Sequence, residues 1–149
     1  ICACLVGSEM CIRDSGYTGI LAIEYFVKGG ELYFNEMAPR PHNSGHYTIE
    51  GCTTNQFREL CRYLLGEPLQ EPRLVAPTVM KNILGEDLAA AEAVAAETGA
   101  EGAQSPEEGV YVHLYGKSVS KPKRKMGHIT FVGMDAGEYG AAWADRFVK

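Results

Sequence analysis

Two short apolar segments near the front of the chain predict a β-hairpin over residues 20–37. The segments "ILAIEYFV" and "LYFNEM" are rich in β-branched and aromatic residues, and the polar turn "KGGE" separates them. Residues 38–52 follow with two prolines and two glycines. That composition predicts a loop of restricted shape after the hairpin.

A helix is predicted next, beginning at Thr53 with Gln56 as its capping-box partner. Apolar residues then recur at the i, i+3, i+4, i+7 spacing of one helical face, which we expect to be buried: Phe57, Leu60, Cys61 and Leu64. Gly66 and Pro68 predict the end of the helix, because glycine favours the C-terminal cap and proline cannot continue a helix.

The segment "LQEPRLVAP" has the composition of a linker, and we place a domain boundary near residues 69–72. Beyond it, "TVMKNILG" predicts a strand, and the alanine-rich "EDLAAAEAVAAETG" predicts a helix that ends at Gly99. "GVYVHLYG" and "HITFVGM" predict two further strands on either side of a basic turn, and a weak helix closes the chain. The predicted fold class is α+β, with two small modules joined by a short linker.

Composition narrows the classes of function without selecting one. The chain has 149 residues, a formal net charge of −5 and no apolar run near 18 residues. The acidic balance argues against nucleic-acid binding, and the short apolar runs argue against a membrane-spanning helix. The five cysteines form no CxxC pair and no metal-ligand spacing, which favours reduced thiols in a cytoplasmic protein.

Glu24 and Glu36 provide the first chemical signal, because each interrupts an apolar strand where a charge is costly. A two-residue turn at Gly29 and Gly30 would pair Glu24 with Asn35 and send Glu36 to the opposite face. A three-residue loop would instead set the two carboxylates opposite each other, which is destabilising unless a cation lies between them. Carboxylate and phosphate oxygens together are the usual ligands of Mg²⁺. The alternative is that one glutamate simply faces solvent on a half-exposed sheet.

The loop "NEMAPRPHNSGH" concentrates polar side chains within twelve residues that prolines and a glycine restrict. Arg40 is suited to bidentate contact with phosphate or carboxylate, and Asn43 and Ser44 can donate to an anion. His42 and His46 have i, i+4 spacing, but in a loop this spacing is only a weak indication of zinc. The loop therefore predicts an anion-binding site, with an ordinary turn-rich surface loop as the alternative.

A basic turn stands out in this acidic chain. Five basic residues lie within nine positions: Lys117, Lys121, Lys123, Arg124 and Lys125. They predict either a phosphate-binding loop or a solvated basic loop. RNA binding is a third hypothesis, but the interleaved aromatic residues that would support it are absent from the sequence.

The hairpin, loop and helix together resemble one enzyme family, the 5-(carboxyamino)imidazole ribonucleotide synthetases, a branch of the ATP-grasp enzymes of purine biosynthesis. The block "NEMAPRPHNSGHYTIE" combines the general ATP-grasp glutamate with a "RPHNSGH" loop typical of that branch, and "VHLYGKSVSKPKRKMGHIT" resembles its C-terminal signature. The resemblance covers residues 16–149. It implies the C-terminal part of an ATP-grasp domain over residues 16–70, an antiparallel hairpin plus a helix, and a small α+β C-terminal domain over residues 71–149.

The resemblance also implies a role for each candidate residue. Glu24 and Glu36 match the glutamates that bridge Mg²⁺ (or Mn²⁺) to the phosphates of ATP, and Asn35 and Glu36 match the strand end that closes the nucleotide site. The residues that match the loop facing the acyl phosphate and the substrate are Arg40, His42 and Asn43. Those that match the site for the 5′-phosphate of the substrate are Lys117, Arg124 and Lys125.

The activity that the resemblance implies is carboxylation of aminoimidazole ribonucleotide by bicarbonate. ATP phosphorylates bicarbonate to carboxyphosphate, and the exocyclic amine of the ribonucleotide captures the carboxyl group, giving the N5-carboxyamino product, ADP and phosphate. The family further implies a cytoplasmic homodimer. Two competing hypotheses are a different ATP-grasp ligase, such as the formate-using glycinamide ribonucleotide transformylase, and a non-catalytic binding module.

The front of the chain does not resemble that family. Residues 10–15, "MCIRDS", match one reading frame of a transposase adapter end used in sequencing libraries, so we expect residues 1–15 to be an artefactual leader. We also expect the natural protein to begin upstream of Gly16, because no glycine-rich phosphate lid precedes the hairpin. The 149-residue chain alone is predicted to be inactive, because two metal ligands cannot by themselves hold ATP in line with bicarbonate.

Overall fold

A computed structural model describes residues 16–98, 103–105, 108–133, 137–138 and 141, and these residues form two compact units. The first unit contains residues 16–45 and 56–70, and the second contains residues 46–55 together with the described residues from 71 onward. The predicted leader lies outside the described residues, as do Gly99 and most of the predicted terminal helix.

The first unit is built on an antiparallel hairpin of strands β1 (Ala22–Lys28) and β2 (Glu31–Ala38), which confirms the predicted hairpin. Gly29 and Gly30 form a two-residue turn, and their φ angles are 62° and 84°. Positive φ at both central residues is the requirement of the type I′ turn, whose twist matches that of the strands. Two adjacent glycines meet this requirement without steric strain.

A β-bulge in the hairpin determines where the two glutamates lie. From the turn, the pairing continues to Tyr25 opposite Phe34, and the register then shifts by one residue between Glu24 and Tyr25. Beyond the shift Glu24 pairs with Glu36, and Asn35 is the extra residue on β2. The carboxylates are therefore opposite each other, but the three-residue loop is wrong, because a two-residue turn followed by a bulge produces this pairing.

The predicted loop after the hairpin contains two helical turns. They are a 3₁₀ helix (Asn43–Gly45) in the first unit and the one-turn helix α1 (Thr48–Gly51) in the second. Helix α2 (Gln56–Leu65) begins three residues later than predicted, so Thr53 is not its N-cap. Gly66, with a φ of 69°, follows the end of α2 as predicted.

The predicted buried face of α2 is wrong. Phe57 and Leu64 are 42% and 71% exposed, and Cys61 is exposed as well. The buried residue on this helix is Glu59, whose carboxylate accepts the backbone N–H of Gln70 at 2.8 Å. One hairpin and one helix of 10 residues provide too little surface to bury an apolar helix face, and the hairpin is itself largely exposed.

The second unit contains a four-stranded antiparallel sheet. Its strands are β3 (Thr78–Leu84), β4 (Ala103–Ser105), β5 (Glu108–Leu114) and β6 (Lys125–Val132), in the spatial order β3–β6–β5–β4. The three longer strands confirm the predictions, whereas the short β4 is not predicted. A 3₁₀ turn (Gly85–Asp87) leads into helix α3 (Leu88–Thr98), which confirms the alanine-rich helix.

Strand β6 is the centre of the second unit and is buried from Met126 to Val132. Helix α3 packs on one face of the sheet, where the core is formed by Ile83, Ala91, Val94, Met126, Ile129 and Phe131. Because side chains alternate along a strand, His128 and Thr130 point to the other face, which α1 contacts. Among the described residues, no helix is long and apolar enough to cross a membrane.

Candidate functional site

Three side chains of the first unit converge beside the bulge of the hairpin: Glu24, Glu36 and His42. One potential ligand atom from each lies within 4.8 Å of the other two. Nε2 of His42 is 2.9 Å from Oε1 of Glu36, and Nδ1 of the same ring is 3.5 Å from Oε1 of Glu24. An N–H at Nε2 donates to Glu36, which offsets part of the repulsion between the opposed carboxylates.

The cluster is closed on one side and open on the other. The side chains of Glu24 and His42 are 15% and 9% exposed, whereas that of Glu36 is 55% exposed. Nδ2 of Asn35 donates to Oε2 of Glu24 at 3.2 Å, so the residue that forms the bulge also orients the more buried carboxylate. A cation or a polyphosphate can therefore approach from the side of Glu36.

His42 is held by contacts of both its ring and its main chain. Oγ of Ser44 lies 2.8 Å from Nδ1 of the ring. The side-chain amide of Gln56 bonds to the backbone N–H and the C=O of His42 at 2.8 and 2.9 Å. The sequence assigned Gln56 to a capping box, and no local signal points to a partner 14 residues away.

The other two residues of the predicted loop site, Arg40 and Asn43, lie on either side of His42 in the chain. Arg40 is exposed, and its Nη1 donates to the carbonyl of Pro41 at 3.0 Å. A guanidinium has five N–H donors, so this bond leaves others for an anion. Asn43 begins the 3₁₀ helix that follows His42.

The second unit carries the basic loop (residues 115–124), which connects β5 to β6. Nζ of Lys117 donates to the carbonyl of Lys125 at 2.5 Å, and Nη1 of Arg124 donates to the carbonyl of Val119 at 2.9 Å. Nζ of Lys117 also lies 5.3 Å from the centre of the Tyr115 ring. Lys117 and Arg124 thus lie in this loop and Lys125 begins strand β6 directly after it, in a different unit from the carboxylate cluster.

The basic loop is anchored to the 3₁₀ turn that precedes α3. Oγ of Ser120 donates to the carbonyl of Gly85 at 2.9 Å, and the backbone N–H of Lys123 donates to Oε2 of Glu86 at 2.8 Å. The backbone N–H groups of Glu86 itself and of Lys123 lower the pKa of the Glu86 carboxyl, because they stabilise its charged form. Lys123 has a φ of 62°, which brings its N–H to this carboxylate.

Gly85→Ala is expected to displace the basic loop. A Cβ at Gly85 would overlap the carbonyl oxygen of Lys121 and come within 2.6 Å of its carbonyl carbon, so backbone must move. We expect a loss of about 1–3 kcal/mol in the free energy of unfolding, together with changed NMR chemical shifts of the loop residues. Urea unfolding and NMR spectra of the two proteins measure the two effects. Gly137→Ala is the matched control, because a Cβ there meets no atom within 4 Å, and equal losses in both variants would contradict the expectation.

Sequence reasoning missed a stack of three imidazoles in the second unit. The ring of His128 stacks on His113 at 4.5 Å between centres and on His46 at 4.8 Å, with interplanar angles of 17° and 25°. The hydroxyl of Tyr115 lies 2.9 Å from Nδ1 of His128, and Nε2 of His113 lies 2.5 Å from Oε1 of Glu50. Strand alternation in β5 and β6 is the signal that pairs His113 with His128, whereas nothing local indicates His46.

The central imidazole of the stack is held neutral. His128 is 2% exposed, and burial, with further contributions from the nearby His113 and His46, lowers its pKa to about 3. Three buried side-chain atoms have no hydrogen-bond partner among the described residues: Oε2 of Glu50, Nε2 of His128 and Oγ1 of Thr130. Burial and the charge of Glu50 also raise the pKa of Tyr111, so this face of the sheet disfavours added charge.

Comparisons with known families match both halves of the chain. Residues 8–57 match the ATP-grasp domain, and residues 78–142 match the phosphoribosylaminoimidazole carboxylase C-terminal domain. The first match begins within residues 1–15, so the leader stays a prediction.

Two relatives of this chain share one name. The N5-carboxyaminoimidazole ribonucleotide synthases of Vibrio cholerae and Bacillus subtilis are 45% and 41% identical over 82% and 81% of this chain. The chain spans only 29% and 30% of their lengths.

Two solved structures are also similar to this chain. The N5-carboxyaminoimidazole synthetase of Staphylococcus aureus, complexed with ADP, aligns with a TM-score of 0.78 and 37% identity over 94% of this chain and 36% of its own. The synthase of Aspergillus clavatus, in complex with ADP and 5-aminoimidazole ribonucleotide, aligns with a TM-score of 0.75 and 29% identity over 96% of this chain and 39% of its own.

Proposed function

We propose that this chain, which belongs to the ATP-grasp enzymes with a phosphoribosylaminoimidazole carboxylase C-terminal domain, is the C-terminal part of an ATP-dependent ligase. The reaction is carboxylation of 5-aminoimidazole ribonucleotide by bicarbonate through carboxyphosphate, giving N5-carboxyaminoimidazole ribonucleotide, ADP and phosphate. The observation that carries the proposal is the convergence of Glu24, Glu36 and His42 at the hairpin bulge.

The donor atoms of this cluster fit a divalent cation of the Mg²⁺ or Mn²⁺ type. Two carboxylates that face each other across a strand pair form a site of concentrated negative charge, and hard oxygen ligands suit both ions. Glu24 and Glu36 would hold the ion. A bound ion supplies neutralisation of phosphate charge during phosphoryl transfer. His42, which donates to Glu36, orients that carboxylate, and Asn35 orients Glu24.

The remaining loop residues are assigned to the anionic reactants. Arg40, which uses one of its five N–H donors in the bond to Pro41, is suited to an acyl phosphate, and Asn43 adds a side-chain amide near it. Asn35 and Glu36, in the second half of β2, are proposed to close the ATP site. In the second unit, a point charge at Lys117 and a guanidinium fork at Arg124 suit the 5′-phosphate of the ribonucleotide, with Lys125 beside them.

Compartment and assembly follow from the same proposal. A reducing cytoplasm is proposed on the family resemblance and on the cysteine spacing, which includes no CxxC pair. Homodimer formation and the absence of nucleic-acid and membrane partners are proposed for the complete protein on the family resemblance.

The 149-residue chain alone is expected to show no phosphate release that depends on both ATP and bicarbonate. It corresponds to about a third of its relatives, and one set of ligands cannot fix ATP, bicarbonate and amine in reacting geometry. A phosphate-release assay with and without each substrate measures this, and turnover by the chain alone would contradict it.

The complete parent protein is the second arm of the test. It should convert 5-aminoimidazole ribonucleotide with bicarbonate, and should not use formate with glycinamide ribonucleotide. The reverse substrate preference would favour the transformylase hypothesis. Loss of both activities in a folded parent would favour a non-catalytic binding module.

A further inference from the structure

We propose that Gln56 is a positioning residue whose side-chain amide fixes the main chain of His42 and thereby sets the imidazole between Glu24 and Glu36. The inference rests on the proposed function of the cluster as a cation and phosphate site. It assigns a role to the first residue of α2, which local sequence rules place in a capping box.

The amide of Gln56 bonds to both polar groups of one peptide residue. Oε1 accepts the backbone N–H of His42 at 2.8 Å, and Nε2 donates to the backbone C=O of His42 at 2.9 Å. Two bonds from one planar amide fix the orientation as well as the distance of the backbone that they hold. The backbone N–H of Gly45 donates to the same carbonyl at 3.0 Å, so both acceptor positions of that oxygen have a donor.

Gly45 provides the space that the amide occupies. A Cβ at Gly45 would lie 2.6 Å from Oε1 and 2.9 Å from Cδ of Gln56, and its three nearest atoms all belong to Gln56. Since the obstructed atoms belong to the end of a flexible side chain, alanine at this position would displace the amide rather than the backbone. Gly45→Ala therefore releases His42 without altering Gln56 itself.

Fixing the main chain of His42 matters because its ring reaches both carboxylates. Nε2 contacts Glu36, and Nδ1 contacts the hydroxyl of Ser44 and lies 3.5 Å from Glu24. A rotation of the backbone at His42 would move the imidazole and leave Glu36 free to turn into solvent. Residues that hold a metal-binding carboxylate through an intermediate hydrogen bond commonly change metal affinity or activity by about 10–100-fold.

Hydrogen exchange at the backbone N–H of His42 tests the contact directly, by a double-mutant cycle. Gln56→Ala and Gly45→Ala should each speed this exchange about tenfold, the factor for loss of one ordinary hydrogen bond. The double variant should exchange within about twofold of either single variant, because both changes break the same contact. Gln70→Ala is the matched control, since Gln70 is exposed and bonds Glu59 through its backbone.

Two results of this cycle would overturn the proposal. One is unchanged exchange in Gln56→Ala. The other is a double variant whose exchange rate rises by the product of the two single effects, because the two substitutions would then act independently of each other. Gln56→Glu guards against loss of helix α2, because it keeps the length and the acceptor oxygen. It removes the donor to the carbonyl and adds one negative charge. Far-UV circular dichroism confirms that each variant is folded.

Binding of Mn²⁺ then tests the consequence for the cluster. Gln56→Ala should weaken Mn²⁺ binding about tenfold in the wild-type background and by less than about twofold in a His42→Ala background, because Gln56 acts through that ring. Equal effects in both backgrounds would overturn the positioning role. If the unsubstituted chain does not bind Mn²⁺, the proposed function of the cluster fails, while the exchange cycle still decides whether Gln56 holds His42.

Discussion

Replacing Glu36 by glutamine is expected to weaken Mn²⁺ binding by roughly a hundredfold, about 2.7 kcal/mol, without lowering the stability of the metal-free protein. The substitution keeps the shape of the side chain and removes one charge from a site that holds a divalent ion through charge. It also removes a carboxylate that lies directly opposite Glu24 in the hairpin. Relief of that repulsion should offset the altered contact with His42, and the free energy of unfolding should change by less than about 1 kcal/mol.

A loss of Mn²⁺ affinity without a loss of stability distinguishes a cation site from a structural ion pair. If the carboxylates served mainly as partners of His42, Glu36→Gln would lower stability and leave Mn²⁺ binding as it was. Glu24→Gln should reproduce the loss of Mn²⁺ affinity, because Glu24 provides the opposing carboxylate. Free Mn²⁺ is measured by electron paramagnetic resonance, and the melting temperature is followed with and without Mg²⁺, which stabilises only a protein that binds it.

Glu31→Gln is the control for this pair. Glu31 lies on the same hairpin, opposite Lys28 and next to the turn, and it is exposed. Its substitution changes the net charge by the same amount but removes no ligand. Equal loss of Mn²⁺ affinity in Glu31→Gln and Glu36→Gln would mean that only the net charge of the protein matters. That result would contradict a cation site at Glu24 and Glu36.

The hairpin shows what sequence can predict and where it stops. Strand composition and the adjacent glycines are sufficient to predict two strands and a tight turn. The pairing of Glu24 with Glu36 depends on the bulge at Asn35, and a bulge inserts one residue without a distinctive local pattern. Spacing alone therefore left two registers open, and neither contained the combination of two-residue turn and bulge that the structure has.

Helix α2 illustrates a different limit. Its apolar spacing correctly indicates a helix, but burial requires a partner surface, and the described part of the first unit does not cover Phe57 or Leu64. Gln56 was interpreted from its neighbours in sequence, whereas its bonds go to His42. Side-chain contacts over such separations are set by the fold, so local rules cannot supply them.

The second unit was predicted more completely because its elements are regular. β3, β5, β6 and α3 all follow from strand composition or alanine content, and their packing produces the core around Ile129 and Phe131. What the pattern could not indicate is that three histidines from separate segments meet on the opposite face. The stack combines one residue from the loop before α1 with one from each of two neighbouring strands.

The stability of the second unit is expected to fall by about 1.4 kcal/mol for each pH unit below about 6.5 on account of His128 alone. In the unfolded chain this imidazole has its ordinary pKa near 6.5 and takes up a proton as the pH falls. In the folded unit its pKa is lowered to about 3, so the ring stays neutral. The unfolded state thus binds one more proton between these values, and acid favours unfolding. The contribution is fully present above pH 6.5.

Burial is the main reason why the folded unit resists protonation of His128, and its neighbours add to it. His46 and His113 stack on its two sides, and either would repel a second positive charge. The nearby Glu50 is already in contact with His113, and Tyr115 has a neutral hydroxyl at Nδ1. Because Nε2 of His128 is buried without a partner among the described residues, an added proton there would also be poorly solvated.

His128→Asn should remove this acid sensitivity, because asparagine presents a polar atom to Tyr115 near the position of Nδ1 but does not titrate. The variant should lose stability at pH 7 through the cavity that it leaves. The slope of its unfolding free energy against pH should nevertheless correspond to about one bound proton fewer than that of the unsubstituted protein. Urea unfolding between pH 4.5 and 7.5, followed through the methyl NMR signals of Ile83 and Ile129, isolates the second unit. Tyr115→Phe keeps the buried imidazole and should retain the steep dependence, so identical slopes in His128→Asn and the unsubstituted protein would show that His128 is not the group that titrates.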